Sequence, residues 1–307
     1  MASLLRLGTR GSKLALTQAG LVRDALAAAV PALGAPDAIE IAAIRTTGDA
    51  IQDRPLAEAG GKGLFVKEIE EALLAQRIDA AVHSMKDMPT LQPPGLEIAA
   101  FLPREDARDV LIAGEVRRIA DLRRGAIVGT SALRRRAQLL HLRPDLEIVN
   151  LRGNVDTRLA KREAGVVEAT LLALAGLKRL GMAHVGTPVP EEEILPAVGQ
   201  GAVCIECRAD DARTRAWLAA IDHKPTAICV AAEHAMLAVL DGSCRTPIAG
   251  HAVLAGDSLR LRALIVKPDG TELLATDRHG ATSEAEAMGR DAGLELKRRG
   301  GPGFLST

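Results

Sequence analysis

The chain has 307 residues, room for two or three domains at roughly 100–200 residues each. Its 39 Lys and Arg balance 39 Asp and Glu, and a formal net charge of zero argues against a general nucleic-acid binder. Aromatic residues reach only 1%, which argues against recognition by base stacking and leaves the cores to aliphatic side chains. No apolar run approaches the roughly 18 residues of a membrane span. Arg6 and Arg10 break the N-terminal apolar run, so it does not read as a signal peptide. The cysteines Cys204, Cys207, Cys229 and Cys244 are too few to staple the chain, and a reducing cytoplasm is the expected home.

In chain order, Ser3–Leu7 reads as a strand and Ser12–Val30 as a helix with Ser12 as its N-cap. Ile39–Arg45 alternates like a strand, and Leu64–Arg77 reads as a helix with Phe65, Ile69, Leu73 and Leu74 on one face. Asp79–His83 and Leu96–Phe101 are further strands. The pattern restarts with a strand at Ile127–Gly129, a helix at Leu133–Leu142, a strand at Glu147–Asn150 and a helix at Val155–Glu163. A strand at Ala169–Leu174 and a helix at Ala175–Leu180 follow. This rhythm predicts α/β lobes with largely parallel sheets. After the Pro-rich stretch Gly186–Pro196, Ala202–Glu206 is strand-like and Arg213–Ile221 helical. Then come a helix at Ala227–Leu240, strands at Ile248–Leu254, Leu259–Val266 and Glu272–Arg278, and a helix at Ser283–Arg298, the order of a small α+β domain.

Arginines recur at strand-to-helix junctions: Arg10 in TRGS, Arg134 and Arg135 after Thr130-Ser131, and Arg152 with Arg158 one turn on; Arg179 ends a later helix. Helix N-termini offer free N–H groups, and guanidinium adds a fork matched to carboxylate, so these junctions predict a cleft for a polyanion. Any one arginine alone reads as a surface residue paired with an acid. Gly60-Gly61-Lys62-Gly63 lacks the hydroxyl residue of a phosphate loop and reads as part of a lid over Thr46–Gly63. Ala81-Val82-His83-Ser84-Met85-Lys86-Asp87-Met88-Pro89 brings a carboxylate and a lysine to a strand end, suited to stabilising a cation or moving a proton, or equally to capping a turn. His83 reads as packed. Cys204 and Cys207 fall on opposite faces of a strand, so no metal site is expected. Cys244 stands in a polar loop beside Arg245, as a nucleophile or covalent anchor would.

With these segments on the page, the sequence resembles the porphobilinogen deaminase (hydroxymethylbilane synthase) family along nearly its whole length. The resemblance rests on TRGSKLAL (Thr9–Leu16), GGKGLFVKEIE (Gly60–Glu70), AVHSMKDMP (Ala81–Pro89), VGTSALRR (Val128–Arg135), LRGNVDTRL (Leu151–Leu159), AGLKRLG (Ala175–Gly181), PAVGQGA (Pro196–Ala202) and DGSCRTPI (Asp241–Ile248), in that order. It implies an α/β fold of two periplasmic-binding-protein-like lobes with a third small α+β domain. The implied boundaries are 1–102 plus 202–221, then 106–198, then 225–307. It implies a cytoplasmic, monomeric transferase that joins four porphobilinogen units head to tail with loss of ammonia. A dipyrromethane cofactor would be held as a thioether by Cys244, with Asp87 catalytic. Arg10, Ser12, Lys62, Ser84, Lys86, Thr130, Ser131, Arg134, Arg135, Arg152, Arg158 and Arg179 map to the family's cofactor and substrate positions, with Gln18 and Gln200 further candidates. The family commonly has a second serine where Ala132 stands here, and some relatives carry a lysine in place of Glu58. The competing class is a non-catalytic bilobed polyanion-binding protein, which needs neither Asp87 beside Lys86 nor Cys244.

Overall fold

The computed structural model describes residues 3–50, 64–242 and 246–305. In chain order the elements are β1 (Leu5–Arg10), α1 (Lys13–Ala29), β2 (Ile39–Ile44), α2 (Thr47–Ala50), α3 (Lys67–Leu74), β3 (Ala80–Ser84), β4 (Leu96–Phe101), β5 (Asp109–Ile112), β6 (Ile127–Gly129) and α4 (Leu133–Leu142). They continue with β7 (Glu147–Val149), α5 (Val155–Glu163), β8 (Ala169–Ala173), α6 (Leu174–Arg179), β9 (Thr187–Pro188), β10 (Val203–Arg208) and α7 (Ala212–Ala219). The chain ends with α8 (Lys224–Val239), β11 (Ile248–Ala255), β12 (Ser258–Val266), β13 (Leu273–Ala281) and α9 (Ala285–Gly300). None of the described helices is long and apolar enough to cross a membrane.

One compact unit holds the described residues up to 50, then 64–105 and 202–227. Its five strands run in the order β2-β1-β3-β10-β4. Both faces are covered, so its strands read as apolar runs. Leu5, Leu7, Val82 and Ile205 pack with Val22 and Leu26 of α1 on one face; Ala81 and Leu96 pack with Ile69 and Leu73 of α3 on the other. Ser12 caps α1, accepting a hydrogen bond from the Ala15 amide at 3.3 Å. Because β1 and β3 are parallel, Arg10 and Ser84 leave the sheet at the same edge.

A second unit holds 106–201 and the described residues from 228 onward. One of its sheets has the order β7-β6-β8-β5-β9, with β6 parallel to both β7 and β8. The other is the antiparallel β11-β12-β13, packed through Leu259, Leu261 and Ala263 against Met236 of α8 and Ala292 and Leu296 of α9.

The expectation of largely parallel sheets needs correction. Each five-stranded sheet is mixed, since β10 runs antiparallel to β3 and β4, and β5 antiparallel to β8 and β9. These strands pair with segments far along the chain rather than one βα step away, and that topology leaves no local sequence signal. The sequence reading also passed over β5, whose four residues follow a charged Pro-containing stretch. It ran the third helix too long: α3 starts at Lys67, Phe65 precedes it, and Leu74 is exposed.

Gly289 sets the close approach of α9 to α8, where a Cβ would run into the Ala232 carbonyl oxygen. Gly20 lies inside α1 with open space around the equivalent position. The two should therefore respond oppositely to alanine. G289A should lose about 1–3 kcal/mol by overpacking. G20A should gain about 0.5–1 kcal/mol by helix propensity. Urea unfolding of the two variants checks this, and equal signs would contradict it.

Candidate active site

In the first unit, β1 ends at Arg10, and β3 runs directly into a 3₁₀ turn at Met85–Asp87. The Met85 amide donates to the Ala202 carbonyl at 3.0 Å and the Met88 amide to the Met85 carbonyl at 3.1 Å, which fixes the turn. Arg10 Nη1 lies 3.8 Å from Asp87 Oδ2, and both side chains keep about a quarter of their surface in solvent (25% and 27%). The Arg10 guanidinium also stacks over the Phe65 ring, 4.2 Å from its centroid, a cation–π geometry. The ring also lies against Gly48, where any side chain would overlap it. Gln18, buried on α1, donates its amide to Ser84 Oγ at 3.0 Å. Lys86 is half-buried on the same turn. The hydroxyl of Ser12 is engaged as the α1 cap.

Beneath this turn, between α3 and the sheet, three titratable side chains share an apolar space. They are Glu70, His83 and Glu206, with His83 Nε2 3.3 Å from Glu206 Oε2. Burial first, and the neighbouring Glu206 second, push the Glu70 carboxyl up to about 7, against a smaller opposing effect of His83. Cys204 and Cys207 are free and buried on β10. Cys207 packs in the core with Leu5 and Val82, while Cys204 sits opposite His83 in the ladder, so the two thiols do face opposite ways. Burial pushes the Cys207 thiol up to about 12.

The second unit repeats the design. After β6, the Thr130 hydroxyl accepts from the Ala132 amide at 3.2 Å, and α4 begins with Arg134 and Arg135 in its first turn. Both arginine side chains are only 6% exposed, because a single carboxylate holds them. Asp109, the first residue of β5, accepts from Arg134 Nη2 at 2.9 Å and from Arg135 Nε and Nη2 at 3.1 and 2.8 Å. Despite complete burial, the paired guanidiniums and the Gln200 amide hold this carboxyl well below its usual range. After β7, Arg152 is buried, and Arg158 donates to the Gly153 carbonyl at 2.9 Å and to Ser131 Oγ at 3.3 Å. Arg179, at the end of α6, donates to the Gly201 carbonyl at 2.7 Å.

The structure thus brings Arg10, Asp87, Ser84 and Lys86 together in one unit, and Thr130, Ser131, Arg134, Arg135, Arg152 and Arg158 around strand ends of the other. Lys62, Glu58 and Cys244 lie outside the described residues. Sequence reasoning missed Asp109 and the stacking of Phe65 on Arg10. Asp109 stands in the charged run Glu105-Asp106-Ala107-Arg108-Asp109, where an acid reads as solvated surface. Phe65 carried a signal that was read only as helix packing: it is one of three Phe in the chain and follows a glycine-rich segment.

Two α/β lobes and a small antiparallel sheet, with cations and hydroxyls gathered where parallel strands end, make up the chain. A family model described as "Porphobilinogen deaminase, dipyromethane cofactor binding domain" matches residues 5–216, and one described as "Porphobilinogen deaminase, C-terminal domain" matches residues 227–298. The chain belongs to the porphobilinogen deaminase family. The porphobilinogen deaminase of Paracoccus denitrificans is 57% identical over 302 residues, spanning 98% of this chain and 96% of that one. The chloroplastic porphobilinogen deaminase of Oryza sativa is 51% identical, spanning 99% and 86%. Among solved structures, an ABC transporter periplasmic binding protein from Brucella ovis with glutathione bound is similar at a TM-score of 0.44 and 15% identity, covering 78% of this chain and 69% of that one.

Two predictions follow from this geometry. Ala132 occupies the N-cap of α4 in extended backbone and makes no side-chain cap. Ala132→Ser should add about 0.5–1 kcal/mol of stability, read as a higher urea midpoint, and an unchanged midpoint would contradict the capping account. The folded Glu70 carboxyl sits near 7, above its ordinary 4.5. The folded chain therefore binds more protons than the unfolded one between those values, and stability falls with rising pH across that window. Glu70→Gln should gain on the wild type as pH rises from about 5 to about 7, whereas a pH-independent difference would contradict it.

Proposed function

We propose that this chain condenses four porphobilinogen molecules head to tail into the linear tetrapyrrole hydroxymethylbilane. It would release one ammonia at each condensation, work on a dipyrromethane group held by Cys244, and free the product by water, which breaks the bond to that group and supplies the hydroxyl of the hydroxymethyl end. The observation that carries this reading is the Asp87 carboxylate at a strand end, with Arg10 beside it and Phe65 stacked on Arg10. The dipyrromethane group bears acetate and propionate side chains. Such carboxylates require charged and hydroxyl donors, and each unit offers its own: half-buried Lys86 with Ser84 in the first, half-buried Arg158 and Arg179 with Ser131 in the second. The residues present therefore fit the group. When bound, it supplies the terminal pyrrole carbon to which the first unit is joined.

The work of this chain's own residues follows from charge. As the aminomethyl C–N bond of porphobilinogen breaks, ammonia leaves with the electron pair and positive charge spreads over the methylene carbon and pyrrole nitrogen. Asp87 stabilises that charge and accepts the pyrrole N–H, a fixed anion placed where charge develops. Joining the methylene carbon to a ring carbon expels the proton on that carbon, and Asp87 is positioned to receive it. Arg10 and Phe65 hold the carboxylate in place. In the second unit Arg152, Arg158 and Arg179 offer charged donors to acetate and propionate groups, with Arg134 and Arg135 adding positive charge at the start of α4, and in the first unit Lys86 offers another. On this reading the chain is a cytoplasmic monomer and a transferase, divided at 1–102 with 202–221, 106–198 and 225–307.

Asp87→Asn keeps the shape and removes the charge. Ammonia release from porphobilinogen should fall by about 100-fold or more while the thermal midpoint stays close to wild type. Turnover near the wild-type rate would overturn the role of Asp87.

A further inference from the structure

A chain of buried hydrogen bonds in the second unit runs from α8 to the paired arginines. Glu233 of α8 is fully buried, and its two oxygens accept from the backbone amides of Gly199 and Ala252, each at 2.7 Å. One carboxylate on α8 thus ties the 195–201 connection to β11 of the small sheet. Gly199 has φ of 70°, in the region that favours glycine, and the next residue turns inward. That residue, Gln200, is completely buried and donates its amide to the Ala107 carbonyl at 2.6 Å and to Asp109 Oδ1 at 2.7 Å. With Arg134 and Arg135, this gives Asp109 four donors, which is the full capacity of a carboxylate. Arg134 closes the circuit by donating to the Leu195 carbonyl at 2.7 Å, on the same connection.

Charge is unevenly placed along this chain of hydrogen bonds: two guanidiniums meet one carboxylate at Asp109, while the Glu233 carboxylate lies at the other end, where it accepts from two backbone amides. The local excess of one positive charge at Asp109 therefore sits with the arginines of the turn that opens α4. Its location depends on how Gln200 holds Asp109, and Gln200 is held through Gly199.

We propose that Glu233 is a positioning residue for anion binding, acting through Gly199, Gln200 and Asp109 to fix where Arg134 and Arg135 sit. The proposal rests on the reading of the site given above. Its consequence concerns α8, which ends at Val239 shortly before Cys244 in sequence. The helix leading to the proposed anchor and the arginines that neutralise the ligand would then keep one register while carboxylates accumulate.

A double-mutant cycle tests this. Glu233→Gln keeps the size and one acceptor but sets an amide N–H against one of the two backbone N–H groups. KM for porphobilinogen should rise at least about fivefold with kcat within about twofold, and most of the rise should vanish in an Asp109→Asn background. If Asp109→Asn does not fold, Gln200→Met breaks the same chain at its middle link. A purely structural Glu233 would lower the thermal midpoint without moving KM, or would give additive effects on KM, and either result overturns the proposal. Should the wild type not turn over porphobilinogen, the functional reading fails by itself. The cycle is then read from the calorimetric Kd for citrate on the same variants, where coupling supports the positioning role and additivity overturns it.

Discussion

The Asp109 carboxylate, held by two guanidiniums with almost no solvent, is the constraint around which the second unit is organised. Burying three charges costs several kcal/mol per ion unless every donor and acceptor is matched. Here Arg134 also finds the Leu195 carbonyl and Arg135 the Leu171 carbonyl, so the desolvation cost is offset by hydrogen bonds fixed in direction. Such a cluster tolerates little displacement of its members. It ties β5, the first turn of α4, the middle of β8 and the 195–201 connection into one rigid group. At Asp109 the ratio of two guanidiniums to one carboxylate is then set by buried geometry rather than by flexible surface arginines.

The first unit solves a related problem with less burial. Asp87 and Arg10 leave neighbouring strands at one edge and stay partly open to solvent. Their mobility is limited by packing: the Phe65 ring covers the guanidinium and itself lies against Gly48, and the Ala202 carbonyl, just before β10, fixes the turn. A protein with so few aromatic residues spends one of its three phenylalanines at this point. The first unit thus keeps a partly open carboxylate beside one guanidinium, and the second buries a carboxylate between two.

Much of this was legible in the sequence, for identifiable reasons. Ser12 was readable as a cap because a hydroxyl precedes a 3.6-residue apolar period, and α4, α5 and β6 have the bounds that periodicity indicates. β1 starts and ends later than read, since it continues through Thr9, whose hydroxyl satisfies itself on the Val82 carbonyl at 3.1 Å and so is buried despite its polarity. The strand directions were not legible, because β5 and β10 find their partners far along the chain. Asp87 and the junction arginines stood out as motifs. Asp109 and Glu233 did not, for a buried carboxylate is recognised by partners distant in sequence: Asp109 stands in a charged run, and Glu233 inside a segment that reads only as a helix.

The central claim is that this chain builds its product on a primer joined to Cys244. Intact mass of the purified protein beside Cys244→Ser tests it most directly. The account predicts, before or after incubation with porphobilinogen, a mass excess equal to two linked porphobilinogen-derived units in the wild type and none in the variant. A wild type that gains no mass and releases no ammonia from porphobilinogen would contradict the account and favour a polyanion-binding protein without catalysis.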